Sequence, residues 1–210
     1  MRRIVASTMM IAVLAVSPAV SMAAAAKKTA VASAVSQFDQ GVAAYERGDY
    51  STAYSLFRPL ADQGNADAQF NLGIMYELGW GVPQDYAAAV SWYRKAAEHG
   101  NADAHYNLGL IYSKGEGVQQ DYAAAASWFR KAAERGQVGG QYALALYYAL
   151  GQGVPEDYVQ AHKWFNLAAA KATDADVRDG ALKYRDIVAA KMTPAQIAEA
   201  QRLASAWKVK

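Results

Sequence analysis

The residues whose types and spacing could do chemistry here are three glycine pairs, three aspartates and three histidines. Gly79/Gly81, Gly115/Gly117 and Gly151/Gly153 have the spacing of a turn that could wrap a phosphate. A dinucleotide site also needs a preceding strand and a longer glycine fingerprint, and the sequence has neither. These pairs therefore read as ordinary turns. Asp85, Asp121 and Asp157 each end such a segment, where a carboxylate could act as a general base or a calcium ligand. Placed just before an apolar-periodic run, each is better suited to capping a helix. His99, His105 and His162 do not recur at equivalent places, and no two have metal-ligand spacing. The chain has no cysteine, which excludes disulfides, thiolate metal sites and cysteine nucleophiles. The sequence predicts no catalytic residue, no cofactor and no metal, hence a protein that is not an enzyme.

The elements that position these residues come from a repeat. Shifted by 36 residues, Ala66 to Asn101 matches Ala102 to Gln137 at 24 of 36 positions, and Val138 to Thr173 keeps 14 identities with the middle copy. A period of this length marks a solenoid or propeller, in which a unit buries its apolar face only against its neighbours. Each copy holds two helical patterns. In the first copy, Asn65 caps a helix A carrying Ala68, Leu72, Gly73 and Tyr76 on one face. Gly79 to Pro83 breaks the pattern, and Asp85 then caps a helix B with Tyr86, Ala89, Tyr93, Ala96 and Ala97 as its buried stripe, ended by Gly100. Trp92, Trp128 and Trp164 recur in helix B and are expected to hold units together.

Residues 37–65 form a divergent, tetratricopeptide-like first unit whose interhelix loop is five residues shorter, since Tyr45 to Tyr50 stands in for Tyr76 to Tyr86. After Thr173 the period fades. Residues 174–210 read as two further helices, the second opened by Thr193-Pro194-x-Gln196 as a capping box. The expected fold is all-α: an α-solenoid of stacked antiparallel helix pairs in units 37–65, 66–101, 102–137 and 138–173, closed by a C-terminal capping helix pair.

The recurring Ala-Asp-Ala, Asn-Leu-Gly, Gly-x-Gly-Val-Pro-x-Asp-Tyr and Trp-Tyr-Arg-Lys-Ala-Ala-Glu segments resemble the Sel-1-like repeat family, relatives of tetratricopeptide repeats with a longer loop. The resemblance implies a non-enzymatic adaptor that presents a curved helical surface to a protein or peptide partner, in envelope signalling or host interaction. It leaves two alternatives: a cell-wall or β-lactam-related envelope enzyme, whose familiar examples are rich in cysteine, and a purely structural envelope protein.

Partner contacts are expected where residues vary on a repeating scaffold. Asn71, Met75 and Leu78 correspond to Asn107, Ile111 and Lys114, then to Ala143, Tyr147 and Leu150, each set at i, i+4 and i+7. By resemblance to tetratricopeptide arrays, helix A lines the concave side, so this ladder is the expected partner face. The same spacing lets Met75, Ile111 and Tyr147 pack between units instead. Asn71 and Asn107 can both donate to and accept from a peptide backbone. Trp80, replaced by Glu116 and Gln152, is a binding hot spot or a local lid.

Residues 1–25 have the three-part pattern of a cleavable signal peptide: Arg2 and Arg3, an apolar run from Ile4 to Val16, Pro18, then small residues, with cleavage after Ala23 or Ala25. An uncleaved anchor is the other reading of this segment. Residues 26–36 read as a linker. Without Arg2 and Arg3 the chain has 19 basic and 19 acidic residues, which removes the charge excess that a nucleic-acid binder uses. The expectation is a periplasmic or secreted protein with no nucleic-acid partner and no membrane span after signal cleavage.

Overall fold

The computed structural model describes residues 18–209, with the side chains of 18–28, 30, 32 and 35 outside that description. Most of the expected signal peptide, residues 1–17, lies outside it too. Ten helices and no strand are present among the described residues: α1 (Pro18–Glu46), α2 (Tyr50–Asp62), α3 (Ala66–Leu78), α4 (Tyr86–Glu98), α5 (Ala102–Lys114), α6 (Tyr122–Glu134), α7 (Val138–Leu150), α8 (Tyr158–Lys171), α9 (Ala175–Ala189) and α10 (Pro194–Ala206). The chain is an all-α solenoid. Each helix packs on the next from α1 through α9, and α5 also touches α7.

The helix starts follow their caps. Asn65 and Asn101 accept from Ala68 N and Ala104 N at 2.8 Å. The three candidate aspartates do the same for helix B: Asp85, Asp121 and Asp157 accept from Ala88 N, Ala124 N and Gln160 N at 2.9 to 3.0 Å. Their own amides close the loops by donating to Tyr76 O, Tyr112 O and Tyr148 O.

The first glycine of each pair ends helix A. The second does something further. Gly117 has φ +70°, and a Cβ there would stand 2.4 Å from Tyr86 Cβ and 2.9 Å from the Tyr86 carbonyl carbon. Tyr86 begins helix B of the preceding unit. Gly81 and Gly153 meet Tyr50 and Tyr122 in the same way. The Gly-x-Gly segment is thus an inter-unit contact, close enough that the neighbouring backbone leaves no room for a side chain.

Within each unit a ring lies flat on a small residue. A Cβ on Gly41, Gly73 or Gly109 would fall 2.5 Å from Phe57, Tyr93 or Phe129. These rings and Phe165 are fully buried and form the centre of the core. Units are also tied by hydrogen bonds: Gln69 Nε2 donates to Ala61 O (2.9 Å), and Gln141 Nε2 to Ala133 O (3.3 Å), both buried. At the helix A starts, Asn101 donates to Asp67 (3.0 Å) and Gln137 to Asp103 (3.2 Å).

Residues 26–36 are not an irregular linker, since they lie inside α1. The stretch is rich in alanine and free of glycine and proline, so its own propensity is helical. At the other end, α9 and α10 both pack on α8. The capping box at Thr193 is present, with Thr193 N donating to Gln196 Oε1 at 2.8 Å, and Trp207 sets its ring edge-on to Trp164 at 6.0 Å.

His105 sits where the flanking copies have Gln69 and Gln141, buried, with Nδ1 2.8 Å from Asn101 O and its ring beside Trp128. His162 is buried in α8. Burial pushes both imidazoles below the ordinary value of 6.5, with Lys131 and Arg135 adding to the effect at His105 and Arg185 at His162. The unfolded chain therefore takes up these protons first as pH falls. Their stabilising contribution is complete above pH 6.5 and is lost as pH drops through the folded-state values. Urea midpoints of the wild type should fall between pH 7.5 and 5.5, and those of His105→Gln should fall less. A tenfold change in proton affinity is worth about 1.4 kcal/mol. Equal pH slopes for the two chains would rule His105 out as a source.

Candidate functional site

The expected ladder divides into three different environments. Met75 and Ile111 are 0% and 1% exposed and pack with Leu72 and Leu108 in the core, so they are removed from the partner face. Tyr147 is 7% exposed. Its ring meets Phe129 edge-on at 5.2 Å while part of it borders a groove between α5, α7 and α9. The tenth place of helix A stands about 40° from the sixth place and about 60° from the seventh. Being on that border, it follows the buried seventh residue inward. Leu78 and Lys114 are exposed at the far end of helix A, and Lys114 lies 3.5 Å from Glu116.

The two asparagines are half-buried and engaged. Asn71 Nδ2 donates to Asp67 O at 2.8 Å within its own helix. Asn107 stands near the Tyr93 hydroxyl, which donates to Glu77 Oε2 at 2.6 Å. Burial and the Glu77 carboxylate hold that phenol protonated well past its usual range. Trp80 packs on the first unit. Its ring stacks on Tyr50 at 4.7 Å and tilts against Tyr45 at 5.6 Å, closing over the space left by the shortened loop of the first unit.

A groove of about 560 Å³ lies between α5, α7 and α9. Its walls are Tyr106 and Leu110 from α5, Tyr142 and Leu146 from α7, and Val177 and Gly180 from α9. These α5 and α7 residues occupy the fifth and ninth places of helix A, one residue before the expected sixth and tenth. Sequence reading passed over them because they keep their character, Phe70/Tyr106/Tyr142 and Ile74/Leu110/Leu146, and so resemble core. The signal that could have found them is their spacing: they lie on the side of the helix away from the buried stripe of Ala104, Leu108 and Ile111. Burial raises the Tyr106, Tyr142 and Tyr147 phenols, so all three remain protonated at neutral pH.

Among the described residues, no group of three or more His, Asp or Glu is placed to hold a metal, and no helix is long and apolar enough to cross a membrane. The Sel1 repeat family model matches residues 37–65, 66–101, 102–137 and 138–172. The chain belongs to the Sel1 repeat family. Proteins of this family are generally interaction scaffolds without enzymatic activity.

Two solved structures are similar to it. One is a Sel1 repeat protein from Oxalobacter formigenes, 29% identical, with a TM-score of 0.63 over 80% of this chain and 74% of that one. The other is a protective antigen present in uropathogenic Escherichia coli strains that displays an SLR fold, 31% identical, with a TM-score of 0.50 over 83% of this chain. The match spans 45% of that antigen's length. No match is found among the curated proteins.

Proposed function

We propose that this protein is an exported, non-enzymatic adaptor that holds a segment of a protein partner in its concave groove within the cell envelope. The observation that carries the reading is the groove itself. It is open and largely apolar, and its walls come from α5, α7 and α9, so it depends on assembly of the array. Such a surface gains binding energy by removing apolar side chains from water, and tyrosine hydroxyls at its edge fix orientation.

The test is partner capture from envelope extract by the full-length protein and by two variants. Leu146→Glu, in the groove, should abolish capture. Leu78→Glu, exposed on another surface, should leave it unchanged, and exposed substitutions of this kind shift stability by about 0.5 kcal/mol or less. Capture that survives Leu146→Glu in a folded protein would move the partner to another face.

Export is the second part of the proposal, supported by the pattern of residues 1–25. Mass spectrometry of the periplasmic fraction should find a mature start at Ala24 or Ala26. An intact Met1 in the membrane fraction would replace secretion with anchoring.

A further inference from the structure

Resting on the groove reading above, we infer that the bound segment carries a bulky apolar side chain next to a lysine or arginine. The argument begins with where the third unit departs from the other two. At the second and sixth places of helix A it has Gly139 and Ala143 in place of Asp103 and Asn107. Both small residues line the groove, and a Cβ on Gly139 would already approach Tyr106 Cζ to 3.0 Å. One step earlier, between α3 and α5, the corresponding places are filled by Asp103, which takes the Gln137 amide, and by Asn107, which stands near the Tyr93 hydroxyl. The depression therefore belongs to one step of the array. Its walls of tyrosine, leucine and valine suit an apolar side chain.

The charge around the groove supplies the second half. Asp176 is its one charged lining residue and is exposed. A shallower hollow continues past Gly139 and Val177 to Thr173 and Asp174, and Asp103 stands on the adjacent helix start. Asp174 caps α9 by accepting from Val177 N at 2.9 Å, and Asp176 in the first turn is a second anion at that helix end. Nearby cations are engaged, Lys114 with Glu116 at 3.5 Å and Arg178 with Asp179 at 4.0 Å. This end of the groove favours a cation and repels a carboxylate. Tyr106 and Tyr142, which line the groove, are aromatic rings of the kind that attract a lysine or arginine head. The array uses that pairing elsewhere, with Lys95 over Trp92 at 4.0 Å and Lys131 over Trp128 at 4.1 Å.

The experiment selects a displayed library of random dodecapeptides on the full chain, then measures a synthetic copy of the enriched sequence by fluorescence anisotropy. Enriched peptides should pair an aromatic or aliphatic residue with a lysine or arginine within two positions. Affinity should fall about tenfold in Gly139→Leu, which fills the groove from a helical position, and about threefold in Asp176→Asn. It should also weaken with added salt. Circular dichroism checks that Gly139→Leu is folded, and Leu146→Gln serves in its place if it is not.

Binding lost in Gly139→Leu but unchanged in Asp176→Asn, with no basic preference among the peptides, overturns the inference and leaves the groove reading standing. Binding indifferent to both groove variants overturns both. Failure to enrich any peptide overturns the inference. A wild-type dimer in sedimentation that Gly139→Leu turns into a monomer assigns the groove to a second copy and overturns it as well.

Discussion

Gly117→Ala should cost this protein about 3 kcal/mol or more, visible as a large drop in the urea midpoint. Two effects combine there. The residue has φ +70°, which costs an alanine about 1 to 2 kcal/mol, and its Cβ would press on the Tyr86 backbone of the unit before it. Gly100 separates the two, because its φ is +86° but nothing lies within 4 Å of a Cβ there. Gly100→Ala should therefore show the backbone cost alone, about 1 kcal/mol. Equal losses at both positions would mean that Gly117 serves only its turn and that the inter-unit contact contributes nothing.

Phe129→Ala should cost about 3 to 5 kcal/mol, the usual range for deleting a buried ring. Phe129 is 1% exposed, lies flat on Gly109 and meets Tyr106 at 5.9 Å and Tyr147 at 5.2 Å. Its neighbour Trp128 is a useful contrast. The recurring tryptophans are expected to hold units together, and Trp92 and Trp164 are buried, but Trp128 is only half-buried beside His105 and Lys131. Trp128→Ala should cost about half as much as Phe129→Ala, since less apolar area returns to water. Thermal unfolding of the two variants side by side measures the ratio, and a larger loss for Trp128 would place the main packing of α6 on its Trp128 side.

The fold was legible because local signals agree with one another. Asn65, Asn101, Asp85, Asp121 and Asp157 are good caps, and all of them cap. The candidate site was legible only to within one helical residue. A hundred degrees per residue leaves Met75, Ile111 and Tyr147 on the border between interior and groove, and only the packing of the preceding helices α2, α4 and α6 decides where they go. Asn107 could be placed on an exposed edge from sequence, but its place near the Tyr93 hydroxyl depends on the preceding unit, 14 residues away in sequence and on another helix. The third wall of the groove comes from α9, after the period has faded, where no register connects Val177 and Gly180 to Tyr142.

Units that match at 24 of 36 positions can mispair during folding, one helix docking on the wrong sibling. The Tyr93 hydroxyl opposes this. Phe57, Phe129 and Phe165 hold the equivalent places without an oxygen, and Glu77 is replaced by Ser113 and Ala149. A chain that set α4 against α7 would bury the phenol near Ala149, away from the carboxylate it bonds in the native array. The polar group that adds little to a packed core thus marks α3 as the partner of α4 and disfavours α7 in its place.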